Sequence, residues 1–233
     1  MFVAVDLGAI LWSLIVQHLK RTRSEGPHMT EPNPTFRAAR TVRSVKLGIV
    51  AGFVACFAYP LAVFAHPPKL VTVALIACFG PALAIGCYGL RQLLDCEGAK
   101  ISTSIGLLLN ALGGALFCVM AFVQLAVVYS TGAEKVPSSI VSIWLGLDVA
   151  WDAYIGMGTV CFALAMLRHP RFGLLFCLLG VAIGAGLLAL HLWSFPTPPQ
   201  SAGPVDLGPA LGLWYFVVMI QMWHSIPWLR QHA

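Results

Sequence analysis

Residues 101–129 read ISTSIGLLLNALGGALFCVMAFVQLAVVY, a stretch with no charged side chain. About 20 apolar residues in a helix cross the ~30 Å hydrocarbon core of a bilayer, so this stretch is long enough to span a membrane. Five similar stretches lie elsewhere in the chain. The predicted spans are approximately 45–66, 70–91, 101–129, 139–167, 172–194 and 207–229.

The composition also indicates a membrane protein. Apolar residues make up 59% of the chain and charged residues 10%, whereas soluble domains average about 45–50% and about 25%. The net charge of +5 does not indicate a nucleic-acid partner, because the basic residues lie mostly at span ends and form no continuous basic stripe. We therefore predict an all-α polytopic transmembrane bundle surrounded by the lipid bilayer.

The positions of Lys and Arg predict the orientation of the spans. Placing the loop 20–46 in the cytoplasm puts twelve of the fourteen Lys and Arg inside, as the positive-inside rule requires, and only Lys69 and Lys135 outside. The twelve are Lys20, Arg21, Arg23, Arg37, Arg40, Arg43, Lys46, Arg91, Lys100, Arg168, Arg171 and Arg230. The compactness of the chain and its lack of a glycosylation sequon favour a multi-pass protein of a bacterial inner (plasma) membrane.

An N-terminal segment, residues 1–44, precedes the predicted six-helix domain, residues 45–233. Residues 1–18 are mostly apolar and are followed by a basic cluster, an order opposite to that of a secretory signal. They are either a seventh span or part of a mis-called start, residues 1–28, with Met29 as the first residue. The sequence leaves both interpretations open.

Two aspartates lie inside the fourth predicted span, in the sequence WLGLDVAWD of residues 144–152. Asp148 and Asp152 are four residues apart, so a helix places them on one face, about 5–6 Å apart. One carboxylate at mid-bilayer depth costs about 2.5–3.5 kcal/mol on insertion scales. Because two such groups repel each other, we expect at least one to carry a proton near pH 7.

Polar side chains on other spans are predicted at a similar depth and complete an outward-facing acidic site. The candidates for ligand or ion binding are Asp148, Asp152, His191, Gln124, Gln221 and Trp151. Two carboxylates and an imidazole are competent metal ligands, so Asp148, Asp152 and His191 are also the candidates for a metal site. No histidine-spacing motif accompanies them.

This acidic pair is compatible with functions of different classes. Intramembrane carboxylates mark proton and ion pathways, so the leading interpretation is a site that binds or transfers a proton, a cation or a small polar solute. The alternatives are a scaffold subunit that packs through glycine faces, and a metal-dependent membrane-embedded hydrolase. No nucleophile stands beside a base, so whether the chain is an enzyme stays open and no catalytic residue is predicted.

Glycines four residues apart let helix backbones approach closely. Such patterns occur at Gly48 and Gly52, at Gly180 and Gly184, and at Gly208 and Gly212. They suit contacts within the chain, with a second copy or with a membrane partner protein.

Other recurring residue types suggest packing or interface roles. We interpret Trp214 and Tyr215 as members of an aromatic belt at the outer boundary. Histidines near span ends, His191 and His169 among them, fit an interfacial position better than haem ligation, and no cofactor is predicted. The seven cysteines form no Cys-x-x-Cys pair and are expected to pack as small apolar residues.

Overall fold

The computed structural model describes residues 34–98, 100–131, 136–195 and 206–232. Within these ranges the chain is helical and has no strand, so the all-α prediction is confirmed. The helices are α1 (Pro34–Phe64), α2 (Lys69–Leu94), a 3₁₀ turn (Asp95–Glu97), α3 (Ile101–Thr131), α4 (Ser138–Met166), α5 (Gly173–Ser194), α6 (Gly208–His224) and α7 (Ile226–His232). The possible span 1–18 lies outside the described residues.

Residues 38–233 form one compact unit. A separate unit comprises residues 1–37, of which the structure describes only residues 34–37, the first turn of α1. The predicted start of the helical domain at residue 45 falls inside α1, which begins earlier.

Five described helices, α1 to α5, are long and apolar enough to cross a membrane, and their bounds lie near those of the first five predicted spans. The prediction of a sixth span over 207–229 needs correction, because this region is two helices that meet at Ser225. Pro227 has no N–H to extend the hydrogen-bond ladder of α6, and a proline ring clashes with the carbonyl four residues earlier. With 17 residues, α6 is shorter than a full crossing helix.

Consecutive helices pack antiparallel, as the short loops predicted, and glycines bring their backbones together. A Cβ atom added to Gly48 of α1 would lie 2.5 Å from the Cα of Gly89 in α2. A Cβ atom added to Gly184 of α5 would lie 2.7 Å from the carbonyl oxygen of Gly156 in α4. Since real Cβ atoms do not approach other atoms so closely, any side chain at these positions would push the helices apart.

Helix α6 packs against both α1 and α5. Its Phe216 ring contacts the rings of Phe53 and Phe57 in α1 at centroid distances of 5.5 and 5.7 Å. On the α5 side, the Trp214 indole N–H donates to the carbonyl oxygen of Phe176 at 3.3 Å. Trp214 and Tyr215 are buried, so the prediction that they form an outer aromatic belt is wrong. That prediction used only their position along the chain, which does not indicate that this part of α6 faces the other helices.

The antiparallel order brings residues 38–46, 91–98, 100–101, 166–173 and 224–232 to one end of the bundle, here called the basic end. Hydrogen bonds connect the segments at this end. Lys100 Nζ donates to the carbonyl oxygen of Ala165 at 3.1 Å, and the Arg171 guanidinium donates to the carbonyl oxygen of His224 at 3.2 Å. The Gln221 amide donates to the carbonyl oxygen of Arg171. These bonds hold the loop between α4 and α5 against the end of α6.

Many large apolar side chains point outward, as expected for helices that face lipid. Trp193 is 89% exposed, and Leu175 and Leu70 are also exposed. In a soluble protein such surfaces would promote association, whereas a bilayer covers them. All seven cysteines are free thiols, so no disulfide holds the bundle together.

Candidate functional site

Asp152 occupies the midpoint of α4, fourteen residues after its first residue, Ser138, and fourteen before its last, Met166. The residues next to it in sequence, Trp151 and Ala153, are apolar, and no proline interrupts the helix. The carboxylate faces the bundle interior and is 8% exposed. The placement therefore forces a polar partner, since a buried carboxylate without one is costly.

That partner is His191 of α5. The Nε2 atom of His191 lies 2.6 Å from Oδ2 of Asp152, and the imidazole is 1% exposed. The close approach of Gly156 and Gly184 between the same two helices brings the short aspartate side chain within reach of the ring. His191 lies in the last turn of α5, near the end of the span as predicted, but its ring is turned into the bundle and is covered by neighbouring helices.

The second ring nitrogen defines the protonation chemistry of the pair. In both forms of the pair that carry no net charge, aspartate with imidazolium or aspartic acid with imidazole, Nδ1 of His191 bears a proton. This buried Nδ1 atom has no hydrogen-bond partner in the described part of the chain. An unsatisfied buried donor costs about 1–3 kcal/mol, so a water or a polar ligand at Nδ1 would be stabilising.

Asp148 and Trp151 pair with each other on α4. The Trp151 indole N–H donates to Oδ1 of Asp148 at 3.2 Å, a contact between residues three apart. The Trp151 ring also packs against Phe117 and Phe79, at centroid distances of 5.1 and 6.3 Å. Asp148 is half-buried and interacts electrostatically with Asp152. The two aspartates therefore influence each other's charge, although their hydrogen-bonding partners differ.

The structure does not bring the two predicted glutamines to the acidic pair. Gln221 lies at the basic end, bonded to Arg171. Gln124 of α3 is half-buried and makes no hydrogen bond with the described residues. Of the six candidates, the geometry joins Asp152 to His191 and Asp148 to Trp151.

The predicted metal site is not assembled. In the described ranges, no group of three or more His, Cys, Asp and Glu side chains is placed to hold a metal ion. Asp148 and Asp152 are on the same helix, but only Asp152 reaches His191. One carboxylate and one imidazole are fewer ligands than the three protein ligands usual at catalytic zinc sites.

A second buried polar cluster joins α3, α4 and α6. The Tyr215 hydroxyl donates to Oδ1 of Asn110 at 2.6 Å and lies 3.0 Å from Oγ1 of Thr159. The Asn110 amide in turn donates to the carbonyl oxygen of Gly106 at 2.8 Å. These neutral groups satisfy one another's hydrogen-bonding capacity within the bundle.

Taken alone, the two clusters differ in what they can do. The Asn110 cluster fixes helix positions, whereas the Asp152–His191 pair can gain, lose or pass on a proton. Comparisons of the chain with protein-family models, with curated proteins and with solved structures find no match.

Proposed function

We propose that this multi-span membrane protein uses the Asp152–His191 pair to bind a proton and transfer it within the bundle. The observation that carries the proposal is the 2.6 Å contact between two ionisable groups that are almost fully buried. Intramembrane ionisable residues of this kind mark proton and ion pathways. Both helices that supply the pair are long and apolar enough to cross a membrane.

Net charge explains why the pair suits a proton. With one shared proton the pair is neutral overall, whether the proton sits on the carboxylate or on the imidazole. Adding or removing a proton leaves a net charge in a site of low dielectric, which costs free energy. The pair is therefore stable in its neutral state and returns to it after each proton that enters or leaves.

The two ring nitrogens supply a route for the proton. Asp152 in its acid form donates to Nε2 of His191, and the proton on Nδ1 leaves to a water or other acceptor. Loss of that proton leaves the Asp152 carboxylate beside a neutral imidazole that is protonated at Nε2. A proton that enters at the carboxylate makes the pair neutral again, and tautomer exchange of the imidazole then returns a proton to Nδ1. The buried Nδ1 without a described partner supports this direction of exit.

A cation fits the pair less well than a proton. Hard cations such as Ca²⁺ take six to eight oxygen ligands, and here one carboxylate faces an imidazole. A small polar solute that accepts a hydrogen bond from Nδ1 remains the second candidate, and the unsatisfied nitrogen favours it. The hydrolase alternative would need more metal ligands than the described residues bring together.

The scaffold alternative rests on glycine faces that are free to bind a partner. Four of those glycines, Gly48, Gly52, Gly180 and Gly184, instead contact other helices of this chain. Gly212 has open space around the position of an added Cβ. Internal use of the glycines favours a self-contained bundle over a subunit that docks through them.

Proton flux into vesicles tests the proposal. The full chain is reconstituted into phosphatidylcholine vesicles that contain a pH-sensitive dye, and a potassium diffusion potential drives proton entry. We expect flux above that of protein-free vesicles, and a loss of most of it in Asp152→Asn and in His191→Gln. Asp95→Asn is the matched control, because Asp95 pairs with Arg91 at the basic end.

Two results would contradict proton transfer through the pair. One is a wild-type flux equal to that of protein-free vesicles. The other is an equal loss in Asp95→Asn, which would trace the effect to general destabilisation. A flux that survives in both pair variants would place the pathway elsewhere.

A further inference from the structure

A groove at the basic end lies between the start of α1 and the C-terminal helix α7. Its volume is about 400 Å³. The residues lining it are Ala38, Ala39, Val42, Arg43, Lys46 and Arg230. Three cationic side chains and three small or apolar ones thus share one concave surface, and no carboxylate of the described residues lines it.

Other cations at the same end of the bundle have partners within the chain. Arg91 pairs with Asp95 at 3.1 Å, and Arg171 and Lys100 donate to backbone carbonyl oxygens. In the described ranges, Arg43, Lys46 and Arg230 make no hydrogen bond or ion pair. Three like charges held together without an anion repel one another, so an anionic ligand would be stabilised here.

The surface of α1 below the groove is apolar and exposed. Leu47 is 60% exposed, Val50 58% and Val54 45%, and their spacing of three and four residues puts them on one helix face. This face continues from Arg43 away from the basic end. A ligand with a charged head and an apolar tail would match the groove and this face together.

We infer that Arg43, Lys46 and Arg230 bind the phosphate headgroup of an anionic phospholipid, whose acyl chain lies along Leu47, Val50 and Val54. Arginine matches phosphate because its planar guanidinium donates two parallel hydrogen bonds. Basic pockets between membrane helices are a known form of headgroup site. The apolar face favours a lipid over a soluble phosphate, since a soluble phosphate would leave that face unused.

Native mass spectrometry of the full chain in detergent measures this binding. Phosphatidylglycerol and phosphatidylcholine are titrated separately at matched concentrations. We expect phosphatidylglycerol to bind about tenfold or more tightly than phosphatidylcholine, because each basic side chain near a phosphate adds to the attraction. A chain without this preference would overturn the inference.

A pair of double variants separates the groove from general surface charge. Arg43→Gln with Arg230→Gln removes two charges from the groove, and Arg40→Gln with Arg168→Gln removes two exposed charges at the same end that do not line it. We expect only the groove variant to lose the preference for phosphatidylglycerol. Equal losses in both would show diffuse charge attraction and overturn the inference.

Inorganic phosphate distinguishes the two sources of the same headgroup chemistry. We expect millimolar phosphate to displace little phosphatidylglycerol, because the acyl chain adds contacts along α1. Full displacement would assign the groove to a soluble phosphate compound and overturn the lipid assignment. All substituted residues are exposed, so the helix content by circular dichroism should stay unchanged in both variants.

Discussion

Two buried histidines with the same exposure have opposite surroundings. His191 and His169 are each 1% exposed. His191, in the last turn of α5, faces the carboxylate of Asp152. His169 lies at the basic end, where its Nδ1 accepts the Arg171 backbone N–H at 3.2 Å. Aromatic rings of Phe172 and Trp228 surround it, each at a centroid distance of 5.3 Å.

The difference shows that the partner, and not burial, gives a histidine its chemistry. Burial is the largest effect and lowers the pKa of His169. The Glu97 charge and the Leu93 backbone raise it by less, and the charges of Lys100 and Arg171 lower it by still smaller amounts. His169 is therefore held neutral as a packed ring. Beside Asp152, the same kind of side chain meets a carboxylate at 2.6 Å, which is the contact on which the proposed proton site rests.

The largest expected effect comes from breaking the Asp152–His191 pair. His191→Leu leaves the buried carboxylate of Asp152 without its partner, and removing one member of a buried ion pair costs about 3–5 kcal/mol of unfolding free energy. Denaturation of the purified chain in mixed micelles, followed by circular dichroism, measures the loss. Adding Asp152→Leu should recover most of it, because the double variant buries no unpaired charge.

His169→Leu is the matched control for this prediction. It removes one neutral ring and one hydrogen bond, so its cost should be clearly smaller than that of His191→Leu. Equal costs for the two single variants would mean that the carboxylate gives His191 no special role.

A pH titration of stability sharpens the same comparison. Because the folded-state pKa of His169 is below the ordinary value of 6.5, the unfolded chain binds the proton more tightly. The stability contributed by neutral His169 is thus fully present above about pH 6.5 and declines as the pH falls, by at most about 1.4 kcal/mol per pH unit. Unfolding free energies at pH 7.5, 6.0 and 5.0 measure the slope.

His169→Phe should reduce that slope, because phenylalanine keeps an aromatic ring but binds no proton. The informative quantity is the difference between wild type and variant, since other groups also titrate in this range. An unchanged slope in the variant would disprove the assignment to His169.

The smallest effect is expected in the neutral cluster. Tyr215→Phe removes the hydroxyl that bonds to Asn110 and Thr159. Side-chain hydrogen bonds between membrane helices average about 0.6 kcal/mol and reach about 1.7 kcal/mol, so the variant should lose stability in that range and keep its proton flux. A flux as low as that of Asp152→Asn would show that the two clusters act together.

The sequence predicted Asp152 and His191 as two of six site candidates but not the contact between them. Asp152 and His191 were predicted because they are ionisable residues within apolar spans. Gln124 and Gln221 were predicted as well, because their expected depth in the membrane is similar. The position of a side chain in a bundle depends on its depth in the membrane and on the direction in which its helix face points. That direction is set by close contacts such as Gly156 with Gly184, which no single-chain pattern reveals.

The errors at α6 have a related physical cause. Apolar length suggested a crossing over 207–229, but the break at Ser225 before Pro227 divides it. The same helix carries Tyr215, which was expected at the outer boundary and lies instead among α3 and α4. Both errors come from predictions based on the mean hydropathy of a segment. Such a mean does not register a single break in the helical hydrogen bonds or the direction in which one helix face points.

The unequal helix lengths have a consequence for the surrounding bilayer. At about 1.5 Å per residue, α4 with 29 residues is roughly 44 Å long, whereas α6 with 17 residues is roughly 26 Å long. A hydrocarbon core of about 30 Å is thicker than α6, and such hydrophobic mismatch is relieved by local thinning of the membrane. The lipids beside α6 should therefore be thinned locally, whereas the lipids beside α4, which is longer than the hydrocarbon core is thick, should not.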